Sequence, residues 1–418
     1  MTTMIIEGSS AVRLHELHIR PDGDEWVVGR IDIGEFVALP VVGVRAIDLL
    51  REGCSVEVSQ DRLVAEGLGE IDVADFVTEL AELGFVAAID GREVASLPPI
   101  RPTFPWLRPA HTRWVQGRAI RVIVGVVIAA GLIAAVTHPH LLPTPEVMVW
   151  STSGSLVLLG QAILFWTLIF IHELAHLAAA RAVGVPGRIR LSTRLHFLVA
   201  QTDVTGIWAA NRTQRMTVYL AGMALDASIA SIATLVVVVA NPTTAVHRIS
   251  AIVLLSEVLL LAPQLLIFMR TDLYFVLQDL TRSRNLYADG SAFATYLAGR
   301  LWRRSAAIDD PSRQLPRGER RAVRGYTVLL VVGTAACLGV AVGVSLPVAL
   351  HLIWQAVHAL SAGSAWLEIA DALATILVVV GFQLLWCRLW WRRHGARIRR
   401  WTSDTAAHLT RRSTAGRR

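Results

Sequence analysis

Residues 155–175 read SLVLLGQAILFWTLIFIHELA, a run with no charged side chain before Glu173. About 20 consecutive apolar residues are what one helix needs to cross the hydrocarbon core of a bilayer. Five further runs have the same character: Ala119–Val136, Met216–Ala240, Ser250–Phe268, Tyr326–Val348 and Ala372–Trp390. The expected fold is therefore mostly α, a polytopic helical membrane protein with about six spans. Hydrophobic residues make up 54% of the 418 positions and charged residues 17%, a balance that an all-soluble chain does not have.

The charges are unevenly placed. Residues 1–95 hold 19 acids against 7 arginines, a formal −12, whereas residues 96–418 hold 33 arginines against 14 acids, a formal +19. An acidic extramembrane part is thus joined to a basic membrane part. The arginines fall between apolar runs and form no single basic face, so they read as orientation signals and no nucleic-acid partner is expected. Three scattered cysteines, Cys54, Cys337 and Cys387, offer neither a disulfide framework nor a Cys-x-x-Cys pair. The polar, acidic N-terminus has no apolar segment of the kind a signal peptide requires.

Residues 1–95 are expected to form a small α+β, winged-helix-like domain. Glu25–Arg30 and Glu35–Leu39 are β-rich runs around Asp32-Ile33-Gly34, a hairpin signal. A helix is expected from about Val42 to Arg51, closed by Gly53, and another after Asp72, closed by Gly84. Phe85–Ile89, Asp90-Gly91 and Glu93–Ala95 read as a closing β-ribbon. Five prolines between Ser96 and Pro109 make residues 96–112 a semi-rigid linker. Residues 113–300 are expected to form the core of the membrane part, and 301–418 two further spans with an Arg-rich tail facing the anionic leaflet.

The arginines sort the loops. Residues 181–215 contain Arg181, Arg188, Arg190, Arg194, Arg212 and Arg215, and both the 270–324 segment and the tail are Arg-rich. The loops around Pro139–Glu146, Asn241–His247 and His351–Glu368 contain none. By the positive-inside rule, an even number of spans then places both termini in the cytoplasm of a multi-pass cell-membrane protein. Trp386, Trp390 and Trp391 read as an interfacial anchor.

Within the second run, His172-Glu173-Leu174-Ala175-His176 is an H-E-x-x-H motif. Four residues of α-helix return nearly to the same face, so two imidazoles can hold one Zn²⁺ while the adjacent Glu173 takes a proton from the attacking water. Two histidines and a glutamate at membrane depth are costly to keep without a role. A hydrolytic zinc site needs a third protein ligand. The acids near the apolar runs are Asp226, Glu257, Asp272, Asp279 and Asp371. Asp272, at the cytoplasmic end of the fourth run, shares the expected depth of the histidines; Asp279 is the alternative. Glu257 is expected nearer the opposite side, and Asp371 opens the last run. Asp226 reads either as an acid orienting a zinc-bound histidine or as a buried structural acid.

The motif, the Ala221-Gly222-Met223 patch, and Thr271-Asp272-Leu273-Tyr274-Phe275 with Asp279-Leu280 and Asn285-Leu286 resemble the site-2-protease type of intramembrane metallopeptidase. The bacterial peptide zinc metalloprotease branch is the most similar, over roughly residues 110–300. The resemblance implies that His172, His176 and Asp272 ligate zinc and that Glu173 is the catalytic base. Leu266-Ile267 stand where the family has Asn-Pro, and Leu273 where it has Gly, which leaves the ligand in place but alters the residues around it. Residues 1–95 are similar to PqqD-like domains, which bind leader peptides against a strand edge. Strand addition suits an extended peptide, and the net −12 favours a basic one.

Together these readings lead to a membrane zinc metalloendopeptidase that cleaves a ribosomally synthesised precursor or leader peptide captured by residues 1–95. A regulated intramembrane protease of membrane-anchored signalling proteins and a non-catalytic peptide receptor or export partner are the alternatives. Arg188–Val199 alternates polar and apolar residues and reads either as a membrane-associated strand that pairs with substrate or as a solvated amphipathic strand; His196 within it is not expected to be a ligand.

Overall fold

The structure, a computed structural model, describes residues 6–23, 25–68, 71–283, 285–301, 309–361 and 366–415, with side chains placed to residue 395. The expected Arg-rich tail past residue 395 lies outside the described side chains, and 302–308 outside the described residues. The architecture is mostly helical, with six helices long and apolar enough to cross a membrane and small antiparallel sheets with helices near the N-terminus. The chain divides into two compact units. One comprises Met1–Arg121, Leu174–Ile189 and Thr202–Ala221; the other comprises Val122–Glu173, Arg190–Gln201 and Gly222–Arg418.

In the first unit, β1 (Val12–Leu14), β2 (His18–Asp22), β3 (Glu25–Arg30) and β4 (Glu35–Leu39) are followed by α1 (Val41–Arg51), α2 (Val56–Ala65) and α3 (Val73–Glu82), and then by β5 (Val86–Ile89) and β6 (Arg92–Glu93). β2, β3 and β4 form one antiparallel sheet, and β1, β5 and β6 another. The β3–β4 pair, both helix ends and the closing ribbon stand where the sequence places them. Asp90 and Gly91 both have positive φ, as a two-residue hairpin loop requires. Asp72 caps α3 by accepting from the Asp75 N–H at 3.0 Å. β1, β2 and α2 are additional to the expectation; α2 has a weak apolar face, with Val56 and Leu63 its buried hydrophobics. Val28, Ile47, Leu49, Leu63, Val77, Leu80 and Phe85 close the core of this part with almost no exposure.

Residues 94–108 have no regular structure and are held along the same unit by backbone bonds. Ile100 N donates to Asp32 O at 2.7 Å and Thr103 N to Gly187 O at 3.0 Å. Ile189 N in turn donates to Thr103 Oγ1 at 3.0 Å. The segment Thr205–Ala209 packs on the β2–β3–β4 sheet, where His18 Nε2 donates to Ala209 O at 2.9 Å. A short turn α4 (Pro109–Thr112) leads into α5 (Arg118–Thr137), the first of the long apolar helices.

The remaining long helices are α6 (Gly154–Arg181), α7 (Arg212–Val239) and α8 (Ala245–Leu261), then, after α9 (Asp272–Leu280) and α10 (Leu286–Leu301), α11 (Arg317–Val340) with α12 (Leu346–Ser361), and finally α13 (Trp366–Ala415). Two features depart from the sequence reading. Arg188–Val199 is not one strand: β7 (Arg188–Arg194) turns at Leu195, with φ 49°, into β8 (Phe197–Asp203) to make a hairpin. An alternating pattern carries no mark of such a turn when neither Gly nor Asn occupies it.

The fifth run is also longer than expected. Helix continues from Arg317 to Ser361, so residues 351–361 are helical where a loop was expected. A π-helical segment at Ala341–Ser345 ends two residues before Pro347. That widened turn lets the ladder skip the hydrogen bond that a proline cannot donate. The 45 residues would measure about 68 Å as a straight helix, roughly twice a hydrocarbon core. Its first turns carry Arg317, Arg320, Arg321 and Arg324, and the apolar residues follow them.

Candidate metal centre

α6 carries the H-E-x-x-H motif near its C-terminal end. His172, Glu173 and His176 are all buried, at 6%, 7% and 7% exposure. His176 follows His172 by one turn of the same unbroken helix, so their relative placement is set by the helix itself. α7 receives both rings. His172 Nδ1 donates to Asp226 Oδ2 at 2.6 Å, and His176 Nδ1 donates to Val218 O at 2.7 Å. With each Nδ1–H committed to an acceptor, both Nε2 atoms are left as lone-pair donors. Imidazoles that bind a metal are oriented in this way.

The third group comes from the break after α8. Helical bonding gives way at Ala262-Pro263 to two 3₁₀ segments, Ala262–Leu265 and Ile267–Met269, and Arg270 turns the chain with φ 59°. Gln264 ties the break together: Thr271 Oγ1 donates to its carbonyl at 2.7 Å, and Asp272 N donates to its Oε1 at 3.2 Å. α11 holds the break from behind, with Tyr326 Oη donating to Phe268 O at 3.4 Å and the Phe268 ring filling the space left by Gly333. Asp272 thus becomes the first residue of α9. Its side chain reaches His172, with Oδ2 3.0 Å from Nε2.

His172, His176 and Asp272 form one group whose ligand atoms lie within 4.8 Å of one another. At zinc bond lengths of about 2.0–2.1 Å, two tetrahedral ligand atoms stand roughly 3.4 Å apart. The donors are therefore spaced to close on one ion. The ring of His172 supplies the sharper test of fit. Carboxylate oxygens face both of its nitrogens, and a neutral imidazole can donate from only one. Either a second ring proton or a metal ion between Nε2 and Asp272 completes that arrangement, so the residues present are compatible with a metal.

The other acids sort by geometry. Asp279 is buried but stands outside the three-residue group. Asp371 accepts from Ser153 Oγ and from Ser155 N at 2.9 Å, capping the start of α6. Arg270 does not pair with Asp272 among the described residues; its guanidinium lies over the rings of Tyr274 and Tyr287, at 5.9 and 5.4 Å. His196 is outside the group, 3.9 Å from Cys337 Sγ. Glu257, expected toward the opposite side, is fully buried where the charges of Asp226 and His172 bear on it. α8 ends at Leu261, and two 3₁₀ segments separate it from Asp272.

Arg194, read only as one position of an alternating strand, is electrostatically coupled to Asp272 and Glu173. Burial lowers its pKa from the ordinary arginine range, while the charges of Asp272 and Glu173 pull the other way. Its guanidinium donates to Gln201 Oε1 at 3.3 Å across the β7–β8 hairpin. α13 fixes the backbone on either side: Arg393 donates to Thr193 O at 3.0 Å and Trp386 Nε1 to Leu195 O at 3.1 Å. A strand pattern alone gives no sign of this, because it does not say what a polar face will meet. No family model, curated protein or solved structure matches the chain.

Proposed function

We propose that this chain is a multi-pass membrane zinc metalloendopeptidase of site-2-protease type, with both termini in the cytoplasm. Its proposed substrate is a ribosomally synthesised precursor or leader peptide, cleaved near the cytoplasmic membrane face. The observation that carries the reading is a glutamate with no place in the metal-ligand group, buried directly beside its first histidine on α6. A binding site for a structural ion has no use for a base at that position.

His172, His176 and Asp272 would hold the ion, and Asp226 and the Val218 carbonyl keep the two rings aimed. When bound, zinc supplies Lewis acidity toward the scissile carbonyl. Glu173 takes one proton from the attacking water as its oxygen bonds to the carbonyl carbon. It returns that proton to the amine as the C–N bond breaks. Arg194 adds a fixed positive charge beside Glu173 and Asp272, suited to the negative charge that develops on the carbonyl oxygen.

Recruitment by residues 1–95 is supported by a groove at α2 and α3. It is lined by the acids Glu7, Glu57 and Asp72 and by the apolar Val56, Val64 and Ile71. A basic amphipathic segment is complementary to that combination. The test is cleavage of a peptide with a basic leader by the full chain in zinc-loaded proteoliposomes, followed by mass spectrometry. Cleavage by the wild type and none by Glu173→Gln supports the reading; equal cleavage by both overturns it.

A further inference from the structure

The chain that leads into the first long helix is basic, aromatic and fixed in place. Residues 101–121 contain Arg101, Arg108, Arg113, Arg118 and Arg121 and no acid. All five arginines are exposed, and none makes an ion pair among the described residues. Trp106 and Trp114 in the same segment are 66% and 61% exposed, although tryptophan is highly buried on average.

This segment was expected to be part of a linker, yet it is anchored at both ends. Thr103 is bonded to Gly187 and to Ile189. Thr112 is buried, and Gln116 Nε2 donates to Ala179 O, near the C-terminal end of α6, at 3.2 Å. Between these anchors α4 and the 3₁₀ segment Arg113–Gln116 carry the exposed side chains. Trp114 Nε1 donates to His111 O at 3.0 Å, which ties the indole to the turn that precedes it. The charges and rings are therefore held out in a preformed arrangement.

Helix length places that arrangement at a definite depth. α5 has 20 residues, about 30 Å of helix, which is the thickness of a hydrocarbon core. With α5 crossing the bilayer, the residues before it stand at the level of the headgroups. Tryptophan is enriched at that level, and arginine stems reach from a helix end toward the phosphates. Five cations with no counter-charge in their own segment are complementary to an anionic surface. A preformed surface also avoids most of the cost of ordering on binding.

We propose that residues 101–121 are a binding surface for anionic phospholipids, with the arginines meeting headgroup phosphates and Trp106 and Trp114 lying among the headgroups. The inference rests on the reading of α5 as a membrane span. It goes beyond the peptidase reading and does not depend on it.

The test is hydrogen–deuterium exchange of residues 104–117 in the full-length protein, reconstituted in phosphatidylcholine nanodiscs with rising proportions of phosphatidylglycerol. Exchange slows as phosphatidylglycerol rises, in the wild type and in Arg108→Lys/Arg113→Lys, which keeps the charge. Each arginine at an anionic surface contributes about five-fold in affinity, so Arg108→Gln/Arg113→Gln weakens binding by roughly 30-fold and loses the protection. High salt removes it in the wild type by screening. Inorganic phosphate added to pure phosphatidylcholine discs leaves exchange unchanged.

Protection by inorganic phosphate alone, or undiminished protection in the Gln variant, would overturn the proposal. A protein that enters the discs but exchanges equally with and without phosphatidylglycerol overturns this proposal alone. A protein that does not co-elute with the discs overturns the membrane-span reading together with it.

Discussion

Asp272 Oδ2 lies 3.0 Å from His172 Nε2 although 100 residues separate the two in the chain. The contact exists because the helical ladder stops at Leu261 and the chain folds back through two 3₁₀ turns held by Gln264. Asp279, nearly two turns further along α9, is buried elsewhere. Asp272→Ala should therefore lower zinc stoichiometry measured by atomic absorption, and Asp279→Ala should leave it intact. The reverse pattern would reassign the third ligand.

Glu173→Gln keeps the size of the side chain and both histidines but removes the base. Zinc content should be unchanged and turnover should fall by about 10²–10⁴-fold, the usual share of general base catalysis. Loss of zinc together with activity would make Glu173 part of the ligand set instead.

Arg194 stands outside the ligand group and is electrostatically coupled to Asp272 and Glu173. Arg194→Gln should leave zinc affinity unchanged and lower kcat by roughly 10²–10³-fold, with little change in KM, if its charge acts on the transition state. A rise in KM alone would move its role to substrate binding.

The groove of the N-terminal part should recognise charge. Glu7→Gln with Glu57→Gln should raise KM for a basic-leader peptide and leave kcat alone, and the wild-type KM should itself rise with added salt as the attraction is screened. A KM indifferent to both would remove this groove from substrate recruitment.

One ion pair ties the N-terminal part together. Arg30 is buried and donates to both oxygens of Asp32 and also to Gly84 O at 2.6 Å. Burial pushes the Asp32 carboxyl up, and the hydrogen bonds and charge of Arg30 more than offset it, leaving the group below its usual range. A carboxyl with a lowered folded pKa stabilises fully above its unfolded value, about 3.9, and that contribution is lost as pH falls through the folded value. Asp32→Asn should flatten the acid limb of stability followed by Trp26 fluorescence. Arg30→Met should cost about 1–3 kcal/mol at neutral pH, because it orphans a buried carbonyl as well. An acid limb identical in Asp32→Asn and wild type would assign the acid sensitivity to other carboxyls.

Much of this arrangement was legible in the residues. Length and apolarity alone mark all six long helices, and the spacing of His172 and His176 puts them on one helical face. The Asp90-Gly91 turn and the Asp72 cap are local chemistry that holds wherever the segment is placed. The weak amphipathicity of α2 hid it, and the turn at Leu195 hid the β7–β8 hairpin, because neither carries the residue types that usually announce such features.

Sequence by itself determined the six long apolar helices, the secondary structure of most segments and the pair of imidazoles, since each depends on residues within a few turns of one another. Tertiary structure decided which carboxylate meets those imidazoles and that Asp226 on α7 holds the ring of His172. Those outcomes depend on where a helix stops and how its neighbour packs. A broken helix moves a side chain by several ångströms along its axis, which no count of residues along the chain can register.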